Sequence, residues 1–241
     1  GVIYVPLNGR TEDGLAIEDY CKERNITLIE DSAHALGSQY QDKMCGSLGS
    51  MSVFSFTPHK IITMGQGGLV LTDDDSLYEY LLDLKTFNRS KDKSDWHDGF
   101  GLNFKITDLQ SALGLSQFEK INEFINIKKE MFQFFERSIK KYNFINFFEY
   151  ETPWFVDLIC ESEKERDSAK AFLGDANILT RESYPALSKQ SFLQNVEKTN
   201  LEVSENISEH ILWLPSSTNL TKDQMQEVVD KVTTFCATKE F

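Results

Sequence analysis

The feature that most constrains the fold is a strand–helix–strand pattern at the start of the chain. Val2 to Leu7 is an apolar run. Thr11 stands where it can cap a helix whose first turn carries Glu12 and Asp13, the charge sign that suits a helix N-terminus. Leu15, Ala16, Ile17, Tyr20 and Cys21 supply a helical apolar face, and Asn25 is a plausible stop. Ile26 to Ile29 is then a short buried strand ending in Glu30 and Asp31. Two strands joined by a helical crossover imply a parallel sheet. In such sheets ligands sit beyond the carboxyl ends of the strands, which is where Glu30 and Asp31 fall.

Two more strands follow, Met51 to Phe56 and Gly68 to Thr72, the second preceded by the turn Gly65-Gln66-Gly67-Gly68. The chain is helical from Ser76, irregular from Ser90 to Gly101, and helical again from a capping box, Thr107 with Gln110. Beyond about residue 120 the pattern changes. A long helix carries Phe124, Ile125, Met131, Phe135 and Ile139. Short strand candidates follow at 145–150, 154–160, 178–184 and 211–214. A final helix opens with a second capping box, Thr221 with Gln224, and carries the stripe Met225, Val228, Val229 and Val232. We therefore expect an α/β domain over 1–120 and a smaller α+β domain over 121–241.

Composition removes several classes of function. The 241 residues carry a net charge of −13 with no Lys/Arg cluster, which argues against nucleic-acid binding. No stretch approaches the length of a membrane span, and no signal peptide opens the chain. The four cysteines are widely spaced and form no CxxC, so neither a disulfide framework nor a zinc site is expected, and a reduced cytoplasmic setting follows. The chain starts at Gly1 and runs straight into a strand, as a segment taken from inside a longer protein does.

Few residues stand out for chemistry. Asp31, at a strand end, can pair with a cationic ligand atom or equally cap a helix. His34, three residues on, can face the same site or be a structural histidine. Lys60 follows the strand and the turn Thr57-Pro58-His59 and precedes Ile61 and Ile62. A lysine held between apolar segments loses hydration, its pKa falls, and its amine becomes available for Schiff-base chemistry. Otherwise it is a solvated surface charge. Ser55 can donate to a phosphate. The glycine turn is neither a Walker loop nor GxGxxG, and by itself reads as a tight turn needing positive φ.

Taken in order, these pieces are more specific than any one alone. IEDSAHALGS at 29–38 resembles the EDxAxAxG segment of the DegT/DnrJ/StrS family of sugar aminotransferases. CGSLG at 45–49, FSFTPHK at 54–60 and GQGG at 65–68 continue the family's order. GLNFKITDLQSALGLSQ at 101–117 is similar to its GxNxRMTxxQAAxGxxQ stretch, and TRESYP at 180–185 and LWLP at 212–215 resemble its C-terminal landmarks. The resemblance covers nearly the whole chain.

It implies a type I aminotransferase fold, with a mostly parallel large domain and a small C-terminal domain, and pyridoxal 5'-phosphate (PLP) as cofactor. Lys60 matches the lysine that carries the cofactor and moves the proton. Asp31 matches the partner of the ring nitrogen, His34 a contact to the ring hydroxyl, and Ser55 a phosphate ligand. Asn103 matches an asparagine that reaches the cofactor phosphate of a partner subunit, which implies a homodimer with shared sites. Arg181 and Tyr184 are candidates for the substrate mouth, or else a solvated charge and a packed aromatic. The implied reaction moves an amino group from L-glutamate to a nucleotide-linked keto-sugar, 4-keto-6-deoxy in type, for surface polysaccharide or antibiotic-sugar synthesis.

Three departures stand against the pattern. Gln66 replaces the usual acid of GEGG, Lys105 replaces an arginine, and the family's N-terminal section, with its ring-stacking aromatic, is not represented. Two rival readings are a sugar 3-dehydratase of the same family, which carries histidine in place of the lysine, and an inactive fragment or degenerate paralogue that only dimerises.

Overall fold

The computed structural model describes residues 1–238, and the chain divides into two compact units. The first comprises 1–126 and 148–154; the second comprises 127–147 and, of the described residues, 155–238.

In the first unit the chain runs β1 (Val2–Tyr4), α1 (Gly14–Glu23), β2 (Leu28–Asp31), a hairpin of β3 (Gln39–Tyr40) and β4 (Lys43–Met44), β5 (Met51–Ser55), β6 (Gly68–Leu71), α2 (Asp75–Lys85) and α3 (Asp108–Phe118). The sheet order is β1-β2-β5-β6. The first three strands are parallel, and β6 runs antiparallel to β5. This is the mostly parallel α/β architecture expected. Asn25 ends α1 in the left-handed region (φ 52°), and the capping box of Thr107 and Gln110 opens α3. Thr11, however, does not cap α1. Its N–H donates to Glu151 Oε1 at 2.6 Å, and its hydroxyl lies 2.8 Å from Gln39 O and 2.9 Å from Glu151 Oε1. A buried carboxylate is the stronger acceptor, so Thr11 is drawn inward and the helix begins after Asp13 without a side-chain cap.

The second unit contains most of α4 (Ile121–Ser138), then β7 (Asn143–Phe144), β8 (Val156–Ile159), α5 (Glu163–Asp175), β9 (Arg181–Glu182), α6 (Glu202–His210), β10 (Ile211–Leu214) and α7 (Lys222–Ala237). Its sheet, in the order β7-β8-β10-β9, is antiparallel throughout. The core is apolar and continuous: Met131, Phe132 and Phe135 of α4 pack with Leu158, Leu212 and the valines of α7. Helices α5 and α6 carry too few apolar residues to be read as periodic. Ser162 nonetheless caps α5, accepting from Glu165 N.

The strand expected at 145–150 does not form. The ladder is confined to Asn143–Phe144, and 148–154 returns to the first unit. The polar groups of the returning segment are satisfied elsewhere. Glu151 accepts from Phe148 N and Thr11, Thr152 N donates to Ser38 Oγ, and Trp154 N donates to Asn8 Oδ1. Gly9 (φ 87°) makes room for this return, since a Cβ there would lie 2.1 Å from Thr152 O. Among the described residues no helix is long and apolar enough to cross a membrane.

Candidate active site

The site is organised by the period-two geometry of β2 and β5. Asp31 stands opposite Val53 in the parallel register, and Ser55 is two residues beyond Val53. Asp31, Val53 and Ser55 therefore share one face at the carboxyl ends of the strands, while Glu30, opposite Ser52, points to the other. Neighbouring acids on one strand thus face opposite sides of the sheet.

Glu30 is fully buried. Its Oε1 accepts from the Ser32 hydroxyl, from Tyr40 Oη at 2.8 Å and from Gly46 N at 2.7 Å, and its Oε2 accepts from Leu48 N at 2.9 Å. The 45–49 loop wraps this carboxylate. Ser52 Oγ closes the loop by donating to Gly46 O at 2.6 Å. Gly46 (φ 93°) has no space for a side chain, since a Cβ would lie 2.4 Å from the Phe54 ring. Burial beside this carboxylate pushes the Tyr40 phenol and the Cys45 thiol far above their ordinary ranges, so both stay protonated.

On the other face, Asp31 Oδ1 accepts from Ala33 N at 3.1 Å, the short Asx contact that turns the chain. The turn at Ser32–Ala35 then brings in His34. Burial, and after it the nearby Lys60, hold the His34 pKa down at about 3, so the imidazole is neutral at physiological pH.

Lys60 lies in the connection between β5 and β6, at the end of a turn closed by Lys60 N donating to Thr57 O at 3.1 Å. Ile61 and Ile62, both buried, anchor the chain just after it. The Lys60 amine is half-buried. Desolvation pushes its pKa down to about 8, against an opposing pull from Asp31 that favours the charged form. Its Nζ stands 3.8 Å from the centroid of the Trp154 ring. Trp154, only 4% exposed, also packs against His34 with ring centroids 4.0 Å apart, and its Nε1 donates to His59 O at 2.7 Å. The loop is held from α3 as well. Gln110 Nε2 donates to Gln66 O at 3.0 Å, and Gly114 lets Met64 approach, where a Cβ would lie 2.7 Å from Met64 Cγ.

Asp31, His34 and Lys60 are thus brought together, with Ser55 on the same sheet face and its Oγ 3.3 Å from Thr57 Oγ1. Asn103 lies apart from them. It is exposed in the segment before α3, where its backbone bridges to Thr86. Arg181 and Tyr184 belong to the second unit. There the guanidinium of Arg181 stands 5.0 Å from the Tyr184 ring and 5.6 Å from the Trp213 ring. Trp213 itself stacks on Phe155 and donates from Nε1 to the buried Asp157. Trp154 was not singled out from the sequence, and Glu30, expected beside Asp31 at the ligand end of the strand, instead turns to the opposite face. Alternation along β2 does separate Glu30 from Asp31, but nothing local marks Trp154, whose contacts with Asn8, His34, His59 and Lys60 reach far along the chain.

The model of the DegT/DnrJ/EryC1/StrS aminotransferase family matches residues 1–233. The chain belongs to this family. Two GDP-perosamine synthases, from Escherichia coli O157:H7 and Vibrio cholerae, are 30% and 31% identical over 99% and 94% of the chain. The chain spans about two thirds of their length, 66% and 64%. A UDP-4-amino-4,6-dideoxy-N-acetyl-beta-L-altrosamine transaminase of Helicobacter pylori is 28% identical over 96% of the chain and 64% of its own length. Among solved structures, the aminotransferase TlmJ of Streptoalloteichus hindustanus superposes with a TM-score of 0.91 at 24% identity, covering 100% of this chain and 66% of its own. Helicobacter pylori PseC superposes at 0.88, with 24% identity over 97% of this chain and 66% of its own. The fold of this DegT-family chain is that of the type I aminotransferases.

Proposed function

We propose that the protein to which this chain belongs is a PLP-dependent aminotransferase acting on a nucleotide-linked keto-sugar of the 4-keto-6-deoxy type, with L-glutamate as amino donor. The observation that carries the reading is the Lys60 amine, half-buried and with its pKa pushed down to about 8 beside Asp31 and His34. The donor set suits the cofactor: an amine poised to lose its proton, a carboxylate for a ring cation, a neutral imidazole and a serine hydroxyl on one side of the sheet. The names of the relatives support the substrate class, since they are synthases and transaminases of nucleotide-linked amino sugars.

In this reading Lys60 holds the cofactor, Asp31 keeps the ring nitrogen charged, His34 contacts the ring hydroxyl and Ser55 the phosphate. When bound, the cofactor supplies an electron sink. With a pKa near 8, about a tenth of the Lys60 amines are neutral at pH 7, ready to take the proton that leaves Cα of the donor. The amino group passes to the sugar carbonyl carbon, and glutamate leaves as 2-oxoglutarate. The exposure of Asn103 suits a role toward a second copy, and we propose a homodimer with shared sites. Arg181, set over Tyr184 and Trp213, is our candidate for the substrate side. We place the enzyme in the cytoplasm, a reducing setting in which its four buried cysteines remain thiols, and in surface polysaccharide or antibiotic-sugar synthesis.

The test uses the chain within its complete natural protein. After loading with PLP, borohydride is expected to fix the cofactor covalently on the peptide that contains Lys60. Incubation with keto-sugar and glutamate is expected to yield the amino sugar and 2-oxoglutarate. Cofactor fixed on another lysine, or a deoxygenated product without amination, overturns the reading.

A further inference from the structure

Trp154 has no part in the family motifs quoted above, yet it meets the candidate site in three ways. Its ring receives the Lys60 amine face-on at 3.8 Å, its indole N–H donates to the carbonyl of His59, the residue before Lys60, and it packs against the imidazole of His34. It is itself held from behind, since its backbone N–H donates to Asn8 Oδ1, with Asn8 buried and in the left-handed region (φ 56°). A tryptophan needed only to fill the core does not have to place its face under an ammonium and its single donor on the turn that carries that ammonium. Each contact constrains a different coordinate of the lysine. The indole N–H fixes where the 57–60 turn sits, the ring face fixes where the amine rests, and the bulk of the indole excludes water from one side of it.

We propose that Trp154 is a positioning residue for Lys60: it is the perch on which the amine rests whenever it is not bonded to cofactor. The consequence for the reaction rests on the reading that Lys60 is the working amine. A lysine released during each turnover has four rotatable bonds to lose, and a fixed perch beside Asp31 and His34 keeps it within reach of the reacting carbon. The placement of the perch is a property of this chain and is measurable without cofactor.

The indole and the amine should therefore report on each other. In cofactor-free protein, indole emission is expected to titrate with a midpoint near 8, the range to which the Lys60 amine is pushed, and this titration is expected to vanish in Lys60→Met. Trace acetylation of Lys60 across pH, read by mass spectrometry against the exposed Lys91, measures the amine directly. In Trp154→Leu the Lys60 midpoint is expected to rise by about one unit toward the ordinary lysine range, because water regains the amine. Trp154→Phe keeps a ring and most of the bulk and is expected to shift it less. An emission that does not titrate between about pH 6 and 10, or a Lys60 midpoint unmoved in a cooperatively folding Trp154→Leu variant, overturns the proposal. Should the leucine variant fail to fold, the emission titration of the unaltered protein and of Lys60→Met still decides. Cofactor trapped on a different lysine would sink the functional reading while leaving both of these measurements intact.

Discussion

The first unit buries a set of hydrogen-bonded polar groups, Glu30, Ser38, Thr11 and Glu151 among them, and a small apolar cluster that includes Leu28, Tyr40 and Leu48. The second unit closes over a long apolar core from Met131 to Cys236, and its buried polar residues are few by comparison. Polar interiors are directional, and a satisfied network allows one geometry where an oily core tolerates several. The unit that must hold Asp31, His34 and Lys60 in place is the one built by hydrogen bonds. Each unit also holds one lysine against its solvation preference. Lys60 is half-buried on an aromatic ring, whereas Lys128 is almost wholly buried, with its amine donating to Ser216 O and its pKa pushed down to about 7.

If this contrast is sound, damage in the first unit should separate activity from stability, and damage in the second should not. The largest effect is expected from Lys60→Ala: a loss of turnover of about 10⁴-fold or more, with denaturant midpoints close to those of the unaltered protein. Substantial residual turnover would break the assignment. In the second unit, Phe135→Ala removes a fully buried ring and is expected to cost about 3–5 kcal/mol in urea unfolding, while the rate per folded molecule stays unchanged. A rate loss in the folded fraction would show that the contrast is too sharp.

The two neighbours on β2 sharpen it further. Asp31→Asn is expected to lower kcat by about 10²–10³-fold, the scale of losing a preorganised electrostatic group, with little change in stability. Glu30→Gln should do the reverse. It leaves donors such as Gly46 N and Leu48 N facing an amide that cannot accept from all of them, at about 2–3 kcal/mol. Equal effects on stability from both substitutions would argue against two faces with two tasks.

The smallest effects are in the pH dependence of stability. Both lysines have folded pKa values below the ordinary 10.5, so the unfolded chain binds more protons and stability rises with pH. For Lys60 the rise runs from about 8 toward 10.5, and for Lys128 from about 7 toward 10.5. Buried Tyr40 and the half-buried Tyr4 and Tyr142, all pushed upward, reverse the trend in more alkaline solution, where the unfolded phenols ionise first. Replacing each lysine by methionine should flatten its own part of the slope, as thermal unfolding at a series of pH values will show.

The local elements were legible because their signals are local. Strand–helix–strand at the start, two capping boxes, the stop at Asn25 and the apolar stripe of α7 each depend on residues a turn or less apart. The ordered motifs from 29 to 117 carried the family, and the position of Lys60 between a strand and two isoleucines announced its loss of solvation. What only the tertiary structure decided depends on partners far apart in sequence. Thr11 forgoes its cap because Glu151, 140 residues away, is a better acceptor. The segment 148–154 leaves the second unit because Ser38, Asn8 and Thr11 satisfy its polar groups. Trp154 comes to rest under Lys60 by the same return. Backbone propensity is written within a few residues, whereas burial and hydrogen-bond satisfaction are settled only when the chain has come back to itself.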